Sequence, residues 1–331
     1  MAFDNIKLEK GLYTGSKGFT ASLEELDPSV NYAGTELEGL DAYQRQLKRF
    51  NIKVSGNNSD TVAKFFQTSD SAALFPEYVS RAVAQGLEQV NDVDRLVATT
   101  TNIDSYDYRS VESVPQDDDK TLAIVNEGAF IPETVIRTKE NLTTLHKRGR
   151  MLTASYEAVK YQKLDLFTVT LRQIGAYIAK SQMSDLVQVL STSDAKVIQS
   201  ENTALNYADL LQLWSEFAPY KLTRIMANPK EVAKMLNMSE FKDSNAGLNF
   251  HGTGSMITPF GAEVIATGDI SENAVVSLDS SAAVEKVQLG GIVTEYDKLI
   301  DRQLERATIT ATAGFSVIST DAIKILAAAN E

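Results

Sequence analysis

Leu164, Phe167, Leu171, Ile174, Ile178, Leu186 and Val189 recur at helical spacing, with a polar gap at Ser181 and Gln182. The spacing predicts a helix over 164–190, about 40 Å long at 1.5 Å rise per residue. That is long for a globular domain and suits a strut on which other elements are mounted.

The segment just before this helix has the opposite character. From Arg137 to Arg150 the bases are Arg137, Lys139, Lys147, Arg148 and Arg150, against Glu140 alone. Residues 134–139 and 142–146 have strand-like composition, which predicts two long strands in an extended hairpin. Its apolar content is too low to bury much within its own subunit, and an isolated hairpin is marginal in water. It needs another surface to lie on.

The remaining pattern is mixed. Residues 1–60 hold six of the eighteen glycines (11, 15, 18, 34, 39 and 56) and read as a loose arm. Within them Leu37, Leu40, Tyr43, Leu47 and Phe50 mark one helix, which a Thr35–Glu38 capping box would start. Pro76 fits the first turn of a second helix carrying Val79, Val83, Leu87 and Val90. Strand-rich pieces follow at 95–101, 105–111 and 121–125. From 200 to 260 the order is α/β, with Asn206 capping one helix and Asn228-Pro229 opening another. A glycine-rich loop over 246–261 leads to strands at 264–267, 274–278, 284–289, 307–312 and 315–318. A short apolar helix over 321–329 is expected to follow.

Composition narrows the chemistry. The chain has 331 residues, which suggests two lobes or one elaborated lobe. Its formal net charge of −12 argues against coating nucleic acid through a global positive field. No cysteine is present, so thiolate nucleophiles, disulfides and cysteine-bearing metal sites are excluded. His146 and His251 are the two histidines. His146 sits among surface bases, and His251 lies in a glycine-rich loop without a nucleophile motif. No phosphate-binding or dinucleotide fingerprint appears. Residues 117–119 form a solvated acidic run rather than a calcium loop. Arg45, Lys48, Arg49 and Lys53 suit the C-terminal end of a helix, where cations complement the macrodipole, better than a phosphate site. Neither catalytic residues, metal nor cofactor is expected. The longest apolar run, 325–329, is far too short to span a bilayer, and Asp4, Lys7 and Glu9 stand where a signal peptide would be apolar. A soluble protein made in a cytoplasm is expected, with no membrane partner.

Several stretches, taken in order, carry a family resemblance. Ala123-Ile124-Val125-Asn126-Glu127-Gly128-Ala129-Phe130-Ile131-Pro132-Glu133 resembles the entry to the E-loop of tailed-bacteriophage major capsid proteins, the Hong Kong 97-like fold. Met151 to Glu157 resembles the run from that loop into the spine helix. Ile225-Met226-Ala227-Asn228-Pro229 resembles the axial-domain strand and helix start. Gly261 to Ile265 and Ala274 to Asp279 resemble the strands returning to the peripheral domain. Arg306 to Thr312, Gly314-Phe315 and Asp321 to Leu326 resemble the closing strand pair. The resemblance covers roughly 65–329.

It implies an α+β fold with an N-terminal arm (1–65), peripheral domain (66–125), E-loop (126–150), peripheral domain with spine helix (151–199), axial domain (200–260) and return strands with a peripheral segment (261–331). It further implies a non-enzymatic capsid subunit forming pentamers and hexamers of an icosahedral shell. That shell would enclose double-stranded DNA, contacted weakly at its inner face, and would be assembled in the bacterial host cytoplasm. A separate scaffolding protein and a portal are the implied partners. The alternative is an encapsulin-like nanocompartment holding protein cargo. Candidate intersubunit contacts are Glu127, Gly128, Pro132, Arg137, Lys139, Lys147, Arg148 and Arg150. Their counterpart would be the acidic stretch 263–305, nine acids against three bases. The arm, with its glycines and sparse core, is expected to order only on assembly. One family member joins an E-loop lysine to a peripheral asparagine. Here Lys139 and Lys147 are available, but between Asn273 and Asn330 there is no asparagine to accept them.

Overall fold

The computed structural model describes residues 2–13, 18–112, 124–128, 131, 137–155, 157, 161–242, 256–299 and 304–329. They divide into two compact units. The first comprises residues 1–90, 147–178 and 291–311, and the second residues 91–146, 179–290 and 312–331.

In the first unit, helices α1 (Phe19–Leu26), α2 (Ala42–Arg49), α3 (Ser69–Ala72) and α4 (Phe75–Val90) precede the opening half of α5, which runs Leu164–Ser191. The expected long helix is present, with bounds 164–191 against the predicted 164–190. Its residues Leu164, Leu171, Ile174 and Ile178 enter one core with Val79 and Val83 of α4. The two helices meet at reciprocal glycines. A Cβ on Gly86 would lie 2.1 Å from the carbonyl oxygen of Arg172, and one on Gly175 would lie 2.1 Å from that of Val83. Backbone therefore packs on backbone.

The N-terminal residues are not sparse in core. Phe19, Leu23, Tyr43, Leu47, Ile52 and Phe65 are buried in the same cluster as α4 and α5. The helix expected from Thr35 begins instead at Ala42, capped by Asp41 in a reciprocal box with Gln44. Gly34 and Gly39 adopt φ of 74° and 78°, so the chain turns twice before it can propagate a helix. Arg45 corrects the macrodipole reading. It is fully buried. Its guanidinium donates to the Asp27 carboxylate at 2.8 Å, to Ser29 Oγ at 2.8 Å and to the Leu40 carbonyl at 2.7 Å, and it lies over the Tyr32 ring. One side chain thus ties 27–32 to 40–45.

In the second unit a five-stranded sheet runs β5 (Lys196–Gln199), β12 (Ile323–Ala327), β8 (Ala274–Leu278), β6 (Arg224–Ala227), β7 (Glu263–Ala266), in that spatial order. Successive residues point to opposite faces, and each face has its own core. Met226, Val276, Leu278 and Ile323 enter one core, with Leu186 and Leu190 from the later part of α5. Ile225, Ala227, Val275 and Leu326 enter the other, with helices α6 (Tyr207–Ser215) and α7 (Pro229–Leu236). Asn206 and Asn228 cap these helices as the sequence indicated. A short helix α8 (Ser239–Lys242) follows.

The helix expected at 321–329 is instead β12. Its five residues are too few to separate helix from strand by periodicity, and pairing to β5 and β8 decides the matter. The expected strands 307–312 and 315–318 are one strand, β11 (Leu304–Val317). A strand not anticipated, β10 (Val293–Leu299), pairs antiparallel to its first half within the first unit. In the second unit its later residues pair with β9 (Val284–Leu289), which pairs parallel to β1 (Thr99–Ile103).

Candidate assembly surface

The basic segment departs from its expected pairing. Strand β3 (Arg137–Thr138) pairs not with the returning strand but with β2 (Val111–Glu112), while β4 (Leu145–Ser155) pairs with β11. These are pairings across long sequence separations, which local composition does not encode. The backbone N–H of Lys139 donates to Ser110 O and that of Thr143 donates to Tyr108 O, both at 2.9 Å. The root of the segment is therefore sewn to residues 108–112.

That root has an anchor the sequence did not reveal. Glu285 on β9 is buried, and it accepts hydroxyl hydrogen bonds from Thr101, Ser110 and Tyr108, the last at 2.7 Å. Burial raises the Tyr108 phenol above its ordinary value and the adjoining carboxylate raises it further, so the phenol remains a donor. Two glycines press β4 onto β11. A Cβ at Gly314 would lie 2.2 Å from Thr144 O, and one at Gly149 would lie 2.3 Å from Ile309 O. Glycine within a strand pattern signals such close approach, and this was the available clue.

The candidate residues distribute as follows. Arg137, Lys147, Arg148 and Arg150 are exposed, and Lys139 is half-buried. Arg150 places its guanidinium 5.4 Å from the centre of the Tyr177 ring. His146, expected to be simply a surface group, makes a 3.0 Å contact through Nδ1 with Oδ1 of Asp185. A cleft of about 600 Å³ opens beside this pair, lined also by Lys139, Thr143, Thr144 and Asp194. Glu127 and Gly128 form an exposed turn with Gly128 at φ 80°, flanked by Ile124 at 95% exposure. Pro132 and His251 lie outside the described residues, as does the acidic run 117–119.

The acidic counterpart is less available than its charge count suggested. Glu263 pairs with Arg95 and Arg224, and Glu272 pairs with Lys230 at 2.5 Å. Burial pushes the Asp279 carboxyl up, but hydrogen bonds from Lys221 N and from Ser281 outweigh it and hold the group below its ordinary value. With Glu285 committed to hydroxyls, Asp269 accepting from Thr267 Oγ1 at 2.8 Å and Asp297 paired with Arg306, six of the nine acids already serve their own chain. Among the described residues no group of three His, Asp or Glu side chains could hold a metal ion, and no helix is long and apolar enough to cross a membrane.

The profile of a family described as phage capsid protein matches residues 139–326, from the basic segment through β12 and more than half of the chain. The chain belongs to this family. It is a capsid shell subunit, a structural protein rather than an enzyme, and its copies assemble with one another in the virion capsid. No curated protein matches the sequence.

Solved shell structures share the fold at low identity. The virus-like particle from Pyrococcus furiosus is 16% identical, with 76% of this chain and 98% of that one covered, at a TM-score of 0.52. The capsid of an empty GTA particle is 15% identical, with 75% and 90% covered, at 0.55. The SrpI encapsulin of Synechococcus elongatus PCC 7942 is 13% identical, with 72% and 88% covered, at 0.51. The capsid subunit thus has the Hong Kong 97-like fold that the resemblance implied.

Proposed function

We propose that this capsid subunit forms pentamers and hexamers of an icosahedral shell enclosing the double-stranded DNA of a tailed bacteriophage. The observation that carries the reading is the phage capsid profile over 139–326. In this reading residues 1–65 form the N-terminal arm, 126–150 the E-loop and 200–260 the axial domain. The remaining segments, 66–125, 151–199 and 261–331, build the peripheral domain and its return strands.

The exposed bases at 137, 147, 148 and 150, with Lys139, lie over a neighbouring copy and set its register. The rigid root built on Glu285 supports this reading, because a clamp needs a fixed base. A formal charge of −12 keeps contact with the genome weak, since each phosphate neutralised adds salt-sensitive affinity. Assembly takes place in the host cytoplasm with a separate scaffolding protein and a portal.

The encapsulin-like alternative draws on the fold shared with the SrpI encapsulin. Electron microscopy of purified particles, with nuclease treatment before extraction, separates the two. Capsomers with five- and six-fold symmetry around protected DNA are expected. Particles filled with protein and free of DNA would overturn the phage reading.

A further inference from the structure

We propose that Lys234 and Asn273 of one and the same chain join in an isopeptide bond, with Glu231 carrying the protons. The bond lies within a single subunit, and the inference does not depend on the shell reading above.

Three side chains meet at one amine. Glu231 and Lys234 stand one turn apart on α7, and Lys234 Nζ donates to Glu231 Oε2 at 2.9 Å. The same Nζ donates to Oδ1 of Asn273 at 2.7 Å, thirty-nine residues along the chain. The amide carbon is one bond beyond that oxygen, so the amine stands at its electrophile. Holding reacting atoms about 3–3.5 Å apart removes much of the barrier that separate reactants face.

The turn that carries Asn273 is tied to α7 at several points. Asn273 has a φ of 64°, a left-handed conformation that asparagine tolerates, and its carbonyl accepts from Ala328 N at 2.9 Å. Beside it Glu272 accepts from Lys230 Nζ at 2.5 Å. At the start of α7, Asn228 Nδ2 donates to the Ile270 carbonyl at 3.1 Å. Helix and turn therefore hold their register while the side chains between them react.

Glu231 supplies an independent sign. It is fully buried, and its Oε1 has no hydrogen-bond partner. Buried polar atoms are nearly always paired, and an exception calls for an explanation. A counter-ion to Lys234 needs Oε2 alone and leaves Oε1 idle. A carboxyl that moves protons between two nitrogens uses both oxygens. The Lys234 side chain is 47% exposed, which gives the leaving nitrogen a way out, while the carboxyl at 0% is shielded from water.

The step balances without a further reactant. Glu231 takes a proton from the Lys234 ammonium, and the neutral Nζ attacks Cγ of Asn273. The carboxyl delivers that proton to Nδ2 and takes a second from Nζ. The Nζ–Cγ bond is complete, the Cγ–Nδ2 bond breaks, and ammonia leaves. The second proton passes from Glu231 to solvent. The product also loses one of two like charges, Lys230 and Lys234, that stand four residues apart on α7.

Intact mass of the full chain, read after denaturation, tests this. Wild-type protein should be lighter than its sequence by one ammonia. Proteolysis should release a branched peptide joining Lys234 to Asn273. Glu231→Gln and Lys234→Arg, checked by circular dichroism, should carry their full sequence mass. Wild-type chain at full sequence mass would overturn the inference. So would an ammonia loss that persists in Lys234→Arg, because asparagine would then have cyclised on its own backbone. Complete reaction in Glu231→Gln would remove Glu231 from the mechanism and overturn the proposal as stated. Should either variant fail to fold, the presence or absence of the branched peptide in the wild type decides.

Discussion

Replacing Gly86 or Gly175 with alanine sets two effects against each other. Both glycines lie inside helices, α4 and α5, where alanine is intrinsically better by about 1 kcal/mol. Against that, the new methyl at 86 would stand 2.1 Å from Arg172 O and 2.4 Å from Arg172 Cα. At 175 it would meet Val83 O at 2.1 Å and Leu87 N at 2.6 Å. These are backbone atoms of the facing helix, so no rotamer change relieves the overlap. The helices must move apart by roughly 1 Å, which loosens Val79, Val83, Leu171 and Ile174 along the seam.

Overpacking of this kind costs about 3 kcal/mol at the upper end of the usual range. The expected net destabilisation is therefore about 2 kcal/mol for either variant. The double variant should lose less than twice that, because one separation of the helices accommodates both methyls. Urea titration of free subunits, followed by circular dichroism, measures the change. Gly268→Ala is the control, since nothing lies within 4 Å of its added methyl. Unchanged or increased stability in Gly86→Ala would refute the account of the seam.

Reversing Arg137, Lys147 and Arg148 to glutamate should leave the subunit folded and impair shell assembly; normal shells at low and high salt would show that charge does not set the clamp. Arg45→Ala strands the buried carboxylate of Asp27, at a cost of about 3–5 kcal/mol, and should open residues 18–50 of free subunits to limited proteolysis that the wild type should resist. Glu285→Ala should leave Ser110 and Tyr108 without their acceptor and speed amide exchange at Lys139 and Thr143, whereas unchanged protection there would mean the root is held by backbone pairing alone. Boiled, denatured shells should run as one band near the 36.2 kDa chain mass, because Asn273 already accepts Lys234 at 2.7 Å and no other asparagine stands between it and Asn330. A ladder of multiples would contradict this.

What the sequence disclosed was whatever rests on near neighbours. The α5 stripe, Pro76 in the opening turn of α4 and the asparagine caps at 206 and 228 are all readable within a few residues. What it hid depends on partners far along the chain. Strand β12 is an apolar pentapeptide until β5 and β8 flank it. Arg45 has the composition of a solvated helix end, yet Asp27, eighteen residues earlier, draws it inside. Counting acids over 263–305 overstated the surface charge, because Arg95, Arg224 and Lys230 lie outside the stretch that was counted.

The place of β12 in its sheet has a consequence for synthesis. It pairs with β5 on one side and β8 on the other, so strands 196–199 and 274–278 are not joined until residue 327 is available. While the ribosome is still adding the residues before it, the nascent polypeptide carries a gap where this strand belongs, and two cores stay open to water along it. A chain arrested before residue 323 can fill neither. Translation thereby acts as a checkpoint. Only polypeptides extended past this strand can close the sheet of the second unit.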